Sequence, residues 1–145
     1  METLLNEVKL DLLAYIESFN SEDIDGVLTH ISDILEISVD GKNMLQLPEG
    51  RDALIESYKT DFSVHKRVTI SREPALSLKE DGSVEADVEL SFELEGKRTS
   101  LDVKYIYDQD SKQQRQHRIS NVRIVDLENL TKKKSSSLCQ QLLVL

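Results

Sequence analysis

The chain has a single cysteine, Cys139, so it can form no internal disulfide and no cysteine-built metal site. It has no run near the ~18 apolar residues that a membrane-spanning helix needs. Its first residues, Met-Glu-Thr-Leu-Leu-Asn-Glu, lack the basic start and long apolar centre of a secretion signal. Basic residues are too few to balance the acids. The formal charge is −9 and the pI about 4.8. Such a surface repels phosphate, which argues against nucleic acid and anionic membrane as partners. Gly-x-Ser-x-Gly, the phosphate-binding P-loop, the dinucleotide glycine pattern and HExxH are all missing. The three histidines, His30, His65 and His117, include no pair at i, i+4, so no metal centre and no cofactor is expected. His30 is expected to close a helix at its negative end, in a structural or surface role.

What is present fits one domain, expected over residues 1–127. At 39% hydrophobic, the 145 residues can build a sizeable core. Leu5, Val8, Leu12, Tyr15, Ile16 and Phe19 recur at helical spacing and predict a first helix over 3–19. Glu7, Asp11, Glu17 and Ser18 fall on its other side. Asn20-Ser21 ends it, with Ser21 as the expected N-cap of a second helix. That helix carries Ile24, Val27, Leu28 and Ile31 on one face and stops near Ser32-Asp33. The period then becomes two. Leu35, Ile37 and Val39 alternate with polar residues, Asp40-Gly41 turns the chain, and 44–47 returns. After Pro48, a third helix over 51–62 buries Leu54, Ile55, Tyr58 and Phe62.

The second half reads as sheet. Val68, Ile70, Leu76 and Leu78 share a parity that Pro74 interrupts, which marks an edge strand or a bulge. Val84, Ala86, Val88, Leu90, Phe92 and Leu94 alternate with Glu85, Asp87, Glu89, Ser91 and Glu93. Leu101, Val103, Tyr105 and Tyr107 form the next strand. The change of parity between Ile119 and Val122 predicts a bulge in the last one. Lys132-Lys133-Lys134, a serine run and the apolar residues 138–145 form an expected tail over 128–145.

This order resembles the nuclear transport factor 2-like (NTF2-like) superfamily, nearest its ketosteroid-isomerase and polyketide-cyclase (SnoaL-like) branch. The likeness rests on Tyr15-Ile16-Glu17-Ser18-Phe19-Asn20-Ser21-Glu22-Asp23-Ile24-Asp25-Gly26-Val27-Leu28, on Gly50-Arg51-Asp52-Ala53-Leu54 with Tyr58, and on Gly96 followed by Leu101-Asp102-Val103. It covers about residues 4–127. It implies an α+β cone, with N-terminal helices packed in the concave face of a strongly curved antiparallel sheet. It also implies a pocket, lined by Tyr15, Tyr58, Val88, Leu90, Phe92, Leu101, Val103 and Tyr105, for a small apolar ligand.

In isomerase-type members a helix-1 tyrosine and a neutral acid stabilise an oxyanion, while a second carboxylate moves the proton. Here Tyr15 matches the tyrosine. The base position falls on Val39, with Asp40 beside it, and the second acid's position falls on Tyr105. The expectation is therefore a ligand-binding or interaction domain without a complete catalytic set. The alternative is an isomerase-, cyclase- or dehydratase-like enzyme with Tyr15 and Tyr105 as oxyanion donors and Asp40 as base. The resemblance leaves a homodimer open. The acidic row Glu85, Asp87, Glu89 and Glu93 argues for a monomer or a polar interface, with Arg67, Lys104, Arg118 and Arg123 as cross-strand partners. A cytoplasmic or nucleocytoplasmic protein is expected.

Overall fold

The computed structural model describes residues 2–39, 41–64, 67–94, 97–109 and 117–125. Asp40, His65, Gly96 and the 128–145 segment lie outside them.

Helix α1 spans Glu2–Asn20. It buries Val8, Leu12, Tyr15, Ile16 and Phe19, the stripe read from the sequence, with Leu5 half-buried. Each such side chain taken from water contributes about 1.5–3 kcal/mol before entropy is counted. The helix closes as a Schellman turn. The Asp23 N–H donates to Ser18 O (3.0 Å) and the Glu22 N–H to Phe19 O (3.0 Å), with Glu22 left-handed at φ 55°.

That closure moves the next cap by two residues. Asp23, not Ser21, caps α2 (Ile24–Leu28), and its carboxylate accepts from the Gly26 N–H at 3.1 Å. A Cβ on Gly26 would lie 2.5 Å from Asp23 Oδ2 and 2.9 Å from Ser18 Oγ, so a larger residue there would have to displace the capping carboxylate. The helix is also shorter than its sequence pattern. Thr29 caps its C-terminus, and Ile31, expected on its face, begins strand β1. The reason is strand pairing: Ile31 stands opposite Ile119, and the Ile119 N–H donates to His30 O at 2.9 Å.

The remaining elements are β1 (Ile31–Val39), β2 (Lys42–Gln46), α3 (Arg51–Val64), β3 (Thr69–Ile70), β4 (Ala75–Leu78), β5 (Val84–Leu94), β6 (Lys97–Gln109) and β7 (His117–Val125). They form one mixed sheet in the order β2-β1-β7-β6-β5-β3, with β4 also on β5. Every pairing is antiparallel except β1 with β7, which run parallel. The N-terminal helices cover the concave face in an α+β cone, and α1 lies against β4 and β5.

Strands β3 and β4 are two halves of one edge, split at the segment that holds Pro74. A proline N cannot donate to the ladder, and here it does not have to. The bulge in β7 is at Ser120: Ile119 pairs with Tyr107 while Asn121 pairs with Ile106. This extra residue restores the inward parity of Val122 and Ile124, both buried. Gly82, at φ 89°, makes the turn between β4 and β5, and its N–H donates to Lys79 O.

The outer face of β5 is charged, as its alternation implies. Its ion pairs come from other residues than expected. Arg72, at the split in the edge, lies 3.6 Å from Asp87, 3.9 Å from Glu89 and 3.5 Å from Asp102. Lys79 lies 3.6 Å from Glu85, whereas Arg67 reaches Glu17 on α1 at 3.9 Å. Glu89 and Asp102 are direct cross-strand neighbours, a like-charge pair that needs the Arg72 cation between them. The sequence could not place Arg72 there, because the edge strand's break sets its position.

Candidate ligand-binding site

A cavity of about 410 Å³ opens beside the N-terminal half of α1. The helix contributes Leu4, Glu7, Val8 and Asp11, which fall at i, i+3, i+4 and i+7 on one face. Thr29 and His30, from the link between α2 and β1, form a second wall. His117 and Arg118, which begin β7, form the third. The hydrogen bond from the Ile119 N–H to His30 O holds the second and third walls together.

Its polar centre is a pair that the sequence did not bring together. His30 Nδ1 lies 2.8 Å from Asp11 Oδ1, with side chains 15% and 31% exposed. A carboxylate can only accept, so Nδ1 carries a proton in this bond and donates it to Asp11. The Tyr15 ring meets the His30 ring edge-on, with centroids 6.2 Å apart. From β6, the buried Tyr107 hydroxyl is held well above its ordinary pKa, first by burial and then by the Asp11 charge. Asp11 was read as part of the outward face of α1, and His30 as a helix-end residue. Structure makes them one dyad.

Behind this lies a closed aromatic cluster. The Tyr15 and Tyr58 hydroxyls are 2.9 Å apart, and the Tyr105 ring meets Tyr15 at 5.8 Å. All three rings are buried. Burial raises each hydroxyl well above its ordinary pKa. The neighbouring phenols and the Asp61 carboxylate also raise Tyr15 and Tyr105; at Tyr58 the bond to Tyr15 offsets part of the rise, and Tyr105, Asp61 and Tyr107 add smaller increases. These phenols therefore stay neutral and act as hydrogen-bonding groups. Asp61, wholly buried on α3, went unnoticed in the sequence. Its signal was there: Leu54, Tyr58 and Asp61 share one helical face by their spacing of four and three.

Tyr15, Tyr58, Val88, Leu90, Phe92, Leu101, Val103 and Tyr105, the expected pocket wall, all lie in the buried core, and none of them lines this cavity. Alternation identifies residues that face inward, and here they share one buried cluster with Leu12, Tyr15, Ile16 and Phe19 of α1. Val39, at the base position, is buried too. Among the described residues, no group of three or more His, Cys, Asp or Glu is arranged to hold a metal ion. No described helix is long and apolar enough to cross a membrane.

No family model matches the sequence, and no curated protein matches it. Solved structures do match in fold. A nuclear transport factor 2-like protein of unknown function from Shewanella oneidensis MR-1 is 15% identical, with TM-score 0.63, over 87% of this chain and 100% of that one. One from Pseudomonas putida KT2440 is 9% identical, with TM-score 0.68, over 86% and 87%. The epoxide hydrolase/cyclase-like enzyme SalBIII, of pyran ring formation in the polyether salinomycin, is 20% identical, with TM-score 0.60, over 83% and 90%. The architecture is the nuclear transport factor 2-like cone. At such identities the likeness speaks for fold and leaves function to the site.

Proposed function

We propose that this protein binds a small organic molecule in the cavity between α1 and the start of β7. The observation that carries this reading is the cavity itself: about 410 Å³, within the roughly 300–1,000 Å³ usual for small-ligand sites. Leu4 and Val8 offer an apolar wall, and Asp11, Thr29, His30, His117 and Arg118 offer convergent polar groups. This keeps the small-ligand function implied by the fold and moves it along α1, away from the Tyr15–Tyr105 region. In fragment screening by calorimetry, Leu4→Trp should abolish binding by filling the cavity, whereas the core variant Leu90→Val should leave it intact. Binding that survives Leu4→Trp would place the ligand elsewhere.

The Asp11–His30 bond favours a second reading, in which the bound molecule is also a substrate. A histidine whose Nδ1–H is held by a carboxylate is oriented for general-base work through Nε2, and the carboxylate stabilises the imidazolium that forms. The reaction class would be proton transfer at a carbon next to a carbonyl. This assignment replaces Asp40 as the base. The oxyanion roles first considered for Tyr15 and Tyr105 would require a ligand to reach two buried hydroxyls, one of them already bonded to Tyr58.

A further inference from the structure

We infer that the molecule bound in this cavity carries a positively charged amine, received by Glu7 and Asp11. The inference rests on the cavity proposed above and names the class of its ligand. Glu7 and Asp11 stand four residues apart on the cavity face of α1, so their carboxylates are neighbours one turn apart, a spacing at which like charges repel. Glu7 is exposed and makes no ion pair among the described residues. Asp11 accepts one hydrogen bond among them, at 2.8 Å from His30 Nδ1 to Oδ1. Its Oδ2 is shut off from water and, like the neighbouring Tyr107 hydroxyl, has no partner at hydrogen-bond distance. A carboxylate drawn this far out of water is normally matched by more than one bond.

The cations nearby are committed elsewhere. Lys9, on the same helix, is paired with Glu73. Arg118 is already engaged and stands directly opposite Asp108 in the ladder between β6 and β7. The donors of the other walls are also used within the protein. His30 donates through Nδ1 to Asp11, Thr29 Oγ1 donates to Gly26 O at 2.7 Å, and His117 Nε2 lies 3.3 Å from Gly82 O. What the walls present to a ligand is therefore acceptors: both Glu7 oxygens, a further lone pair on Asp11 Oδ1 and those of the Thr29 hydroxyl. An ammonium group brings three donors and the positive charge that the two acids lack. Leu4 and Val8 lie on the same helix face as these acids and suit an apolar body. Among the described residues no group of three His, Cys, Asp or Glu is arranged for a metal ion, so the cation that fits is an organic one. The net charge of −9 draws any cation at long range, whereas this preference belongs to two named side chains.

The test is calorimetry on the full chain at about pH 8, where free imidazole is neutral and an alkylamine is charged. The probes are benzylamine, its neutral counterpart benzyl alcohol, and benzoate. Benzylamine should bind about tenfold or more tightly than benzyl alcohol, and benzoate should bind most weakly. Glu7→Gln, at an exposed position, should cut that advantage about threefold, and adding Asp11→Asn should remove it. Glu49→Gln deletes the same charge on the exposed turn before α3, outside the cavity, and should leave the advantage intact. Benzyl alcohol or benzoate binding as tightly as benzylamine would overturn the inference. An advantage that the double variant leaves unchanged, or that Glu49→Gln removes, would overturn it too. In either case, binding that Leu4→Trp abolishes keeps the cavity reading standing without it. If none of the three compounds binds, the cavity reading fails as well.

Discussion

The Tyr15 and Tyr58 hydroxyls are hydrogen-bonded to each other at 2.9 Å, across the contact between α1 and α3 and wholly out of water. Replacing one tyrosine by phenylalanine leaves the other hydroxyl without this bond. Each single variant should lose about 1–2 kcal/mol of stability. The double variant Tyr15→Phe/Tyr58→Phe should lose less than the two singles combined. Denaturant midpoints measure this, and strictly additive losses would show that the bond contributes nothing.

All four tyrosines of the chain, Tyr15, Tyr58, Tyr105 and Tyr107, are buried with raised pKa values. In the unfolded chain they ionise near pH 10. Above that pH the unfolded state releases protons that the folded state still holds. Stability is therefore unaffected below about pH 10 and falls as the pH rises beyond it. Tyrosinate absorbance at high pH should appear together with loss of the circular-dichroism signal of the fold. Tyrosinate forming well before unfolding would contradict the burial of this cluster.

Asn20 ends α1 and also ties it to the sheet side. Its amide donates to Val68 O at 2.8 Å and accepts from the Val68 N–H at 2.8 Å, and Val68 itself is buried. Asn20→Ala strands both backbone groups and should cost about 2–4 kcal/mol. Asn20→Asp keeps only the acceptor and should cost less at neutral pH. Thermal denaturation of the two variants checks the order, and a harmless alanine would remove the clamp from the account.

Arg72 sits among Asp87, Glu89 and Asp102 on the outer sheet face. These are exposed ion pairs, so Arg72→Ala should cost no more than about 1 kcal/mol, and salt should shrink the difference. Light scattering should also show a monomer, because a dry interface disfavours a charged centre. A salt-insensitive dimer would mean that another surface carries the association.

The parts of this fold that sequence revealed are those where one residue's neighbours along the chain decide its fate. The period of Leu12, Ile16 and Phe19, the alternation from Val84 to Phe92, and the change of parity that becomes the Ser120 bulge are all local patterns. What it concealed depends on contacts between distant segments. Asp11 and His30 are 19 residues apart and lie on different elements. Neither stands out in its own stretch, since an acid on a helix flank and a histidine after a short helix are ordinary surface residues. Likewise, Leu90 and Tyr105 face inward by their parity, yet parity does not tell that they join one buried cluster with Leu12 and Tyr15 of α1. The family resemblance gave the cone correctly. It drew attention to Tyr15, one ring away from the open cavity.

The central claim is that ligands enter between α1 and β7, at the Asp11–His30 pair. Chemical-shift mapping on ¹⁵N-labelled protein, titrated with small fragments, tests it most directly. The account predicts that shifts concentrate on Leu4, Glu7, Val8, Asp11, His30, His117 and Arg118, with the Asp11→Asn and His30→Gln variants losing them. Shifts centred instead on Val88, Leu90, Val103 and Tyr105 would contradict it and return the binding site to the space under the middle of α1.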